Sequence, residues 1–249
     1  MKKLFYILLF CLSLPTVAQN ESLFDTANNA YNKGDYQAAI SNYQKILDQG
    51  EASSELYYNL ANAHYKLSHI APSVYYYEKA LKLDPNDKDI KNNLEFANNM
   101  VIDDIKQVPE VGISKGFNNF VNTFSYDMWA WFAIIFSGVF GLFFILYYFS
   151  IAPKLKRVFF GISMLAVVLL VFSVFFGFHQ KSTIENTQFA VIFAEEAPIR
   201  SEPNLRGDEQ FKLHEGTKIE VLSTYQNWVK LQLANGDQGW IDKSSVKFL

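Results

Sequence analysis

The sequence predicts a multi-domain membrane protein made of an all-α repeat stack, a two-helix transmembrane hairpin and a small all-β barrel. Three observations carry that prediction. Residues 21–100 repeat with a period of 34, two uncharged apolar runs of more than 20 residues follow, and short β-type runs between turn residues fill the chain after residue 186. Of the 249 residues, 50% are hydrophobic and 19% charged, whereas an average soluble chain carries roughly 25% charged residues. The apolar excess is confined to blocks near 4–14, 128–151 and 158–178. What remains has room for two small folded units and none for a large enzyme core.

At the N-terminus, Met1-Lys2-Lys3 precedes the apolar stretch 4–14 and the small residues of Thr16-Val17-Ala18. This is the layout of a signal peptide over 1–18, cut before Gln19. The alternative is an uncleaved anchor, and both place the following chain outside the cytosol. Without Lys2 and Lys3 the chain holds 20 basic against 25 acidic residues. An acidic chain with no basic block argues against nucleic acid, whose affinity comes from neutralised phosphates. The single cysteine, Cys11, lies in the first apolar block. Disulfides, CxxC redox motifs, cysteine-ligated zinc and a cysteine nucleophile are therefore not expected in any folded region.

Residues 128–151 and 158–178 carry no charge, and each is long enough for a spanning helix. Trp129, Trp131, Tyr147 and Tyr148 lie near the ends of the first, where aromatic side chains suit the headgroup level. The loop 152–157 between them holds Lys154, Lys156 and Arg157 and no acid, which predicts a cytoplasmic loop and both flanks outside. Two spans without ionisable residues give no ion pathway. Ala133, Ser137 and Gly141 on the first span, and Ser173 and Gly177 on the second, offer small faces for close helix contact.

In the repeat region, Ala27, Gly34, Ala39, Tyr43, Lys45 and Leu47 realign on Ala61, Ser68, Ser73, Tyr77, Lys79 and Leu81, and Asp84-Pro85-Asn86 stops the second copy. Period and small/large pattern resemble the tetratricopeptide repeat. Such a domain would cover 20–105, with repeats over about 20–53 and 54–87 and a capping helix over about 88–105. The resemblance implies a concave protein-binding face of Asn28, Tyr31, Asn32, Tyr58, Asn59, Asn62, Tyr65, Lys66 and Asn93, with the asparagines available to an extended peptide backbone. Phe24 and Asp89 stand where a base would be needed to grip a C-terminal carboxylate. His64 and His69 read as structural histidines, loosely spaced and lacking a third ligand. Asp103-Asp104 reads as a solvated helix end. Residues 106–127, with Pro109, Gly112 and Gly116, read as a linker.

After His179 the runs 189–193, 217–222, 228–233 and 239–241 alternate or cluster apolar residues, and Asn235-Gly236 predicts a hairpin turn with both residues at positive φ. The stretches APIRSEP, LHEGTK, NWVK and GDQGWI resemble the bacterial SH3-like (SH3b) barrel over 187–249, although the family pattern usually begins LNVRSGP. That resemblance implies a ligand face including Arg200, Glu202, Tyr225 and Trp228, with Trp240 in the core. His214 has no nucleophile partner in the sequence.

The order of parts, with DPNDKDIKNNLEFANN and FVNTFSYDMWAW, resembles BatE-type proteins of the bacterial aerotolerance (Bat) operon. That resemblance implies an inner-membrane protein, with repeats and barrel in the periplasm, that works with von Willebrand A-domain membrane proteins and a MoxR-type ATPase. The function expected is a non-enzymatic scaffold or adaptor without cofactor or metal. The alternative is a module that senses or binds peptidoglycan.

Overall fold

The computed structural model describes residues 22–106 and 113–249. The expected signal peptide, 1–18, lies outside the described residues. The chain divides into two units, one combining 22–106 with 188–249 and the other made of 113–187.

In the first unit the repeating sequence forms α1 (22–32), α2 (Tyr36–Asp48), α3 (Ser54–Lys66), α4 (Ile70–Leu83) and α5 (Lys88–Asn98). Polar side chains satisfy the free amides at three helix starts: Asp35 accepts from Ala38, Ser53 from Leu56, and Asp87 from Asp89 and Ile90. The 34-residue period is explicit in the core. Ala27, Ala39 and Tyr43 recur as Ala61, Ser73 and Tyr77, all at most 1% exposed. The small residues let paired helices approach, and each tyrosine fills the space beside them. On α5, Ile90, Leu94 and Ala97 take the places of Leu56, Leu60 and Ala63. The capping helix expected over 88–105 is shorter, because α5 ends at Asn98. Beyond it Val101 packs against the repeat cluster and Ile105 against the core of the β-sheet.

The β-part has seven antiparallel strands: β1 (Gln188–Ile192), β2 (Glu196–Arg200), β3 (Glu209–His214), β4 (Lys218–Tyr225), β5 (Trp228–Gln232), β6 (Gln238–Asp242) and β7 (Val246–Phe248). Their order in the sheet is β3-β2-β6-β5-β4-β1-β7. All seven strands feed one apolar core, including Ile199, Leu213, Ile219, Val229, Ile241 and Val246, so the sheet curls around it. β1 is buried on both faces: Ala190 and Ile192 enter this core, while Val191 enters the repeat cluster beside Ala71 and Val74. Two expectations are corrected here. Gly236 has φ +92° but Asn235 does not take positive φ. The Gly236 amide bonds Leu233 O and the Leu233 amide bonds Asp237 O, a three-residue turn with glycine at the bulge. Trp240 is half-buried on the outer face, because strand alternation turns Gly239 and Ile241 inward instead.

The second unit consists of α6 (Ile113–Val121), α7 (Tyr126–Phe149) and α8 (Pro153–Asn186). α7 and α8 are long and apolar enough to cross a membrane. The expected linker 106–127 contains α6, whose Phe117 and Phe120 meet Phe176 of α8 at ring-centroid distances of 6.1 and 5.4 Å. The expected loop 152–157 is also shorter, since only 150–152 are non-helical and Pro153 opens α8 with its fixed φ. α8 outruns the span 158–178 at both ends. Its 34 residues reach about 51 Å, against a hydrocarbon layer of about 30 Å. Small residues of α8 are enclosed in the hairpin. Ser163, Ala166 and Ser173 are buried, and a side chain at Gly177 would meet Trp129 Cβ at 3.1 Å. Ser137 and Gly141 of α7 do not join this contact: Ser137 is exposed and Gly141 faces open space. Trp129 turns inward and its Nε1 donates to Val121 O at 3.0 Å, whereas Trp131 and Tyr148 are exposed.

Candidate functional site

The concave side of the repeats forms a groove of about 340 Å³ lined by Tyr31, Tyr58, Asn62, Tyr65, Lys66, Tyr77, Asn93 and Phe96. Behind it runs a hydrogen-bond motif that repeats with the sequence. Tyr43 donates to Asn28 Oδ1 at 2.6 Å and Asn59 Nδ2 donates to the same oxygen at 3.3 Å. Thirty-four residues on, Tyr77 donates to Asn62 Oδ1 at 2.5 Å and Asn93 Nδ2 donates to it at 3.0 Å. Asn93 Nδ2 also donates to the Tyr58 hydroxyl at 2.8 Å. Burial first, then Tyr31 and Glu55, push the Tyr43 hydroxyl up to about 12, and burial pushes Tyr77 up as well. Both therefore remain donors at every ordinary pH.

This network revises the role expected of the asparagines. The side-chain oxygens of Asn28 and Asn62 are already committed inside the protein, so these residues brace the groove. Tyr31, Tyr58, Tyr65 and Lys66 line it. Asn32 is exposed, and neither it nor Asn28 nor Asn59 lines the recess. Tyr77 and Phe96 also line it, outside the expected set. For Tyr77 the signal was available, since Asn28 and Tyr43, like Asn62 and Tyr77, lie 15 apart in both repeats.

On the β-sheet the proposed ligand residues fall into two places. Tyr225 and Trp228 pair across the β4–β5 turn, where Gln226 takes φ +51°. Arg200 pairs with Trp240 across β2 and β6, and its Nη1 donates to Gly207 O at 2.8 Å. Glu202 lies in the β2–β3 loop, where its Oε2 accepts from Asn204 Nδ2 at 3.0 Å. Trp240 also pairs with Lys230 on its other side, so it belongs to the outer face beside Arg200.

The repeats and the sheet are joined by specific bonds. Asp103 Oδ2 accepts from the His214 amide at 2.7 Å and from Thr217 Oγ1 at 2.6 Å, while Oδ1 meets His214 Nδ1 at 2.7 Å. Asp103 is therefore not a solvated helix end. Burial raises its pKa, but the hydrogen bonds from Thr217 and His214 and the charge of His214 outweigh burial and hold it below the ordinary carboxylate value. Lys218 reaches Glu78 of α4 at 2.7 Å, and Lys82 donates to Leu249 O at 3.1 Å. A side chain at Gly216 would meet Ile70 and Val101 at 2.7 and 2.8 Å.

At the α3–α4 turn, His64 Nδ1 and His69 Nδ1 stand 3.1 Å apart, and the His64 ring stacks on Tyr76. The two loosely spaced histidines thus face each other. Burial, then His69 and Lys247, lower the His64 pKa to about 4. No group of three or more potential metal-ligating His, Cys, Asp or Glu occurs among the described residues.

Residues 195–247 match the family model of the bacterial SH3 domain, and residues 54–87 match that of the tetratricopeptide repeat. No curated protein matches the chain. Both matched families are typically non-catalytic binding domains, and no enzyme family is indicated.

Proposed function

We propose that this protein is a non-enzymatic, membrane-anchored scaffold that holds partner proteins through its tetratricopeptide groove and its SH3 domain. One observation carries the reading: the groove presents Tyr31, Tyr58, Tyr65 and Lys66 on a base braced by the same Tyr–Asn–Asn bonds in successive repeats. A base held this way need not reorganise on binding, so more of the contact energy appears as affinity. The apolar α7–α8 hairpin serves as the anchor in the bacterial inner membrane, with 152–157 cytoplasmic. The contact between repeats and SH3 domain supports placing both on the periplasmic side. The order of modules supports work in a Bat envelope-stress system with von Willebrand A-domain membrane proteins and a MoxR-type ATPase.

The test is crosslinking in native membranes followed by capture and mass spectrometry. Von Willebrand A-domain proteins joined to residues 22–98 are the expected result. Tyr31→Ala with Tyr65→Ala should weaken that association by at least about thirtyfold, the cost of losing aromatic anchors worth about 2 kcal/mol. An unchanged association, with helical circular dichroism intact, overturns the groove assignment.

The outer SH3 face supports a second reading, binding of peptidoglycan, because Trp240 lies there between Arg200 and Lys230. Sedimentation of the intact protein with purified sacculi, lost in Trp240→Ala, would favour it over the scaffold.

A further inference from the structure

The turn between α3 and α4 departs from its counterpart in the first repeat, and three of the changes bear on the histidines. A shift of 34 places His64 on Ala30, Ser68 on Gly34 and His69 on Asp35. In the first repeat Asp35 caps α2 through the Ala38 amide, and Gly34 takes φ +81°. In the second, His69 makes no capping bond and Ser68 carries φ +58°. Losing an N-cap bond and holding a side chain in the left-handed region each cost stability. The result of these concessions is that His64 and His69 turn Nδ1 toward Nδ1 at 3.1 Å. Local cost of this kind gathers at functional positions.

The separation suits a shared ion. Two imidazole nitrogens at about 2.0–2.1 Å from one metal stand about 2.9 Å apart at a right angle and about 3.3 Å apart at the tetrahedral angle. The observed 3.1 Å falls between these values. His64 is oriented from behind, stacked on Tyr76 at 5.6 Å and 12°, and the Tyr76 hydroxyl donates to Gln44 Oε1 at 3.1 Å. Such outer partners fix the direction of a metal-binding ring. His69 is exposed, so the site opens to water.

We propose that His64 and His69 form a two-imidazole site for a divalent transition cation, with Cu(II) held most tightly and Ni(II) and Zn(II) behind it. The ranking follows ligand type and the general order of divalent affinities. Water completes the coordination, leaving positions for a donor from a bound partner. The Lys247 ammonium acts on His64 and opposes the cation.

The experiment is titration of the intact, untagged protein in detergent with Cu(II), read by calorimetry and by electron paramagnetic resonance. The expected result is one equivalent of Cu(II) with hyperfine structure from two imidazoles. His64→Ala and His69→Asn bring the turn closer to the first repeat's pattern, and Asn can restore the helix cap, so both should fold. Each should weaken Cu(II) binding at least about tenfold, and Lys247→Gln should strengthen it. No binding at all, or binding unchanged in both histidine variants, overturns the site and leaves the pair as a hydrogen bond only. Cu(II) held instead at His179, His214 or the N-terminal amine would give that unchanged result.

Discussion

The side-chain oxygens of Asn28 and Asn62 each accept two hydrogen bonds, one from a tyrosine buried to within 1% of full enclosure. Asn62→Ala strands the Tyr77 hydroxyl and should cost about 1–3 kcal/mol in urea denaturation, whereas Tyr77→Phe in the Asn62→Ala background should recover part of that loss. The period that aligns these residues is visible in the sequence. The bonds are not, because they depend on how closely the helices cross. Asp103 makes the same point more sharply. Its partner His214 is 111 residues away, so an acid after a helix reads as solvated until the fold joins the two. Asp103→Ala should cost about 2 kcal/mol, the worth of hydrogen bonds to a charged group. Asp103 titrates below its ordinary 3.8 when docked, so the docked state binds fewer protons. Its contribution is full above that ordinary value and is lost as pH falls through the lowered one. Hydrogen exchange at the His214 amide, followed downward from pH 6, should show protection fading only in that acid range. Protection that instead fades between pH 6 and 5 would rule out Asp103 as the controlling group.

Elements were legible in proportion to how local their causes are. The repeat helices carry caps and a period, and the apolar helices carry length. The run FAVIF showed a strand, but not that Val191 leaves the sheet's own core for the repeat cluster. A strand buried on both faces has a continuous apolar sequence whichever neighbour covers it. The ends of α5 and α8 are less legible: α5 stops at Asn98, and α8 runs on to Asn186 beyond its apolar stretch. Gly216, at φ +87°, lies where a side chain would strike Ile70 and Val101. Gly216→Ala should loosen the seam between α4 and the sheet while leaving the sheet folded. Limited proteolysis should then cut within 99–106 in the variant and spare the native protein. Equal resistance in both would show that the seam does not depend on this close approach.

At the scale of the whole molecule, the contact between repeats and SH3 domain constrains topology. The two modules flank the apolar hairpin in sequence, so their association requires an even number of crossings between them. Single cysteines in place of Glu51 and Lys243, in a Cys11→Ser background, should both react with an impermeant maleimide applied from outside. A cysteine at Lys154 should react only after the membrane is opened. Labelling of Glu51 and Lys243 sites from opposite sides would separate the modules and refute the arrangement. Val191 adds a consequence for biogenesis. The apolar patch around Ala71 and Val74 is sealed by a strand near the chain's far end, so a ribosome must deliver both hydrophobic helices before the repeats receive that cover. During that interval the nascent domain shows an unsealed face, the condition in which chains aggregate or recruit chaperones. Completion of the repeat domain is thereby made to wait for synthesis of the apolar hairpin.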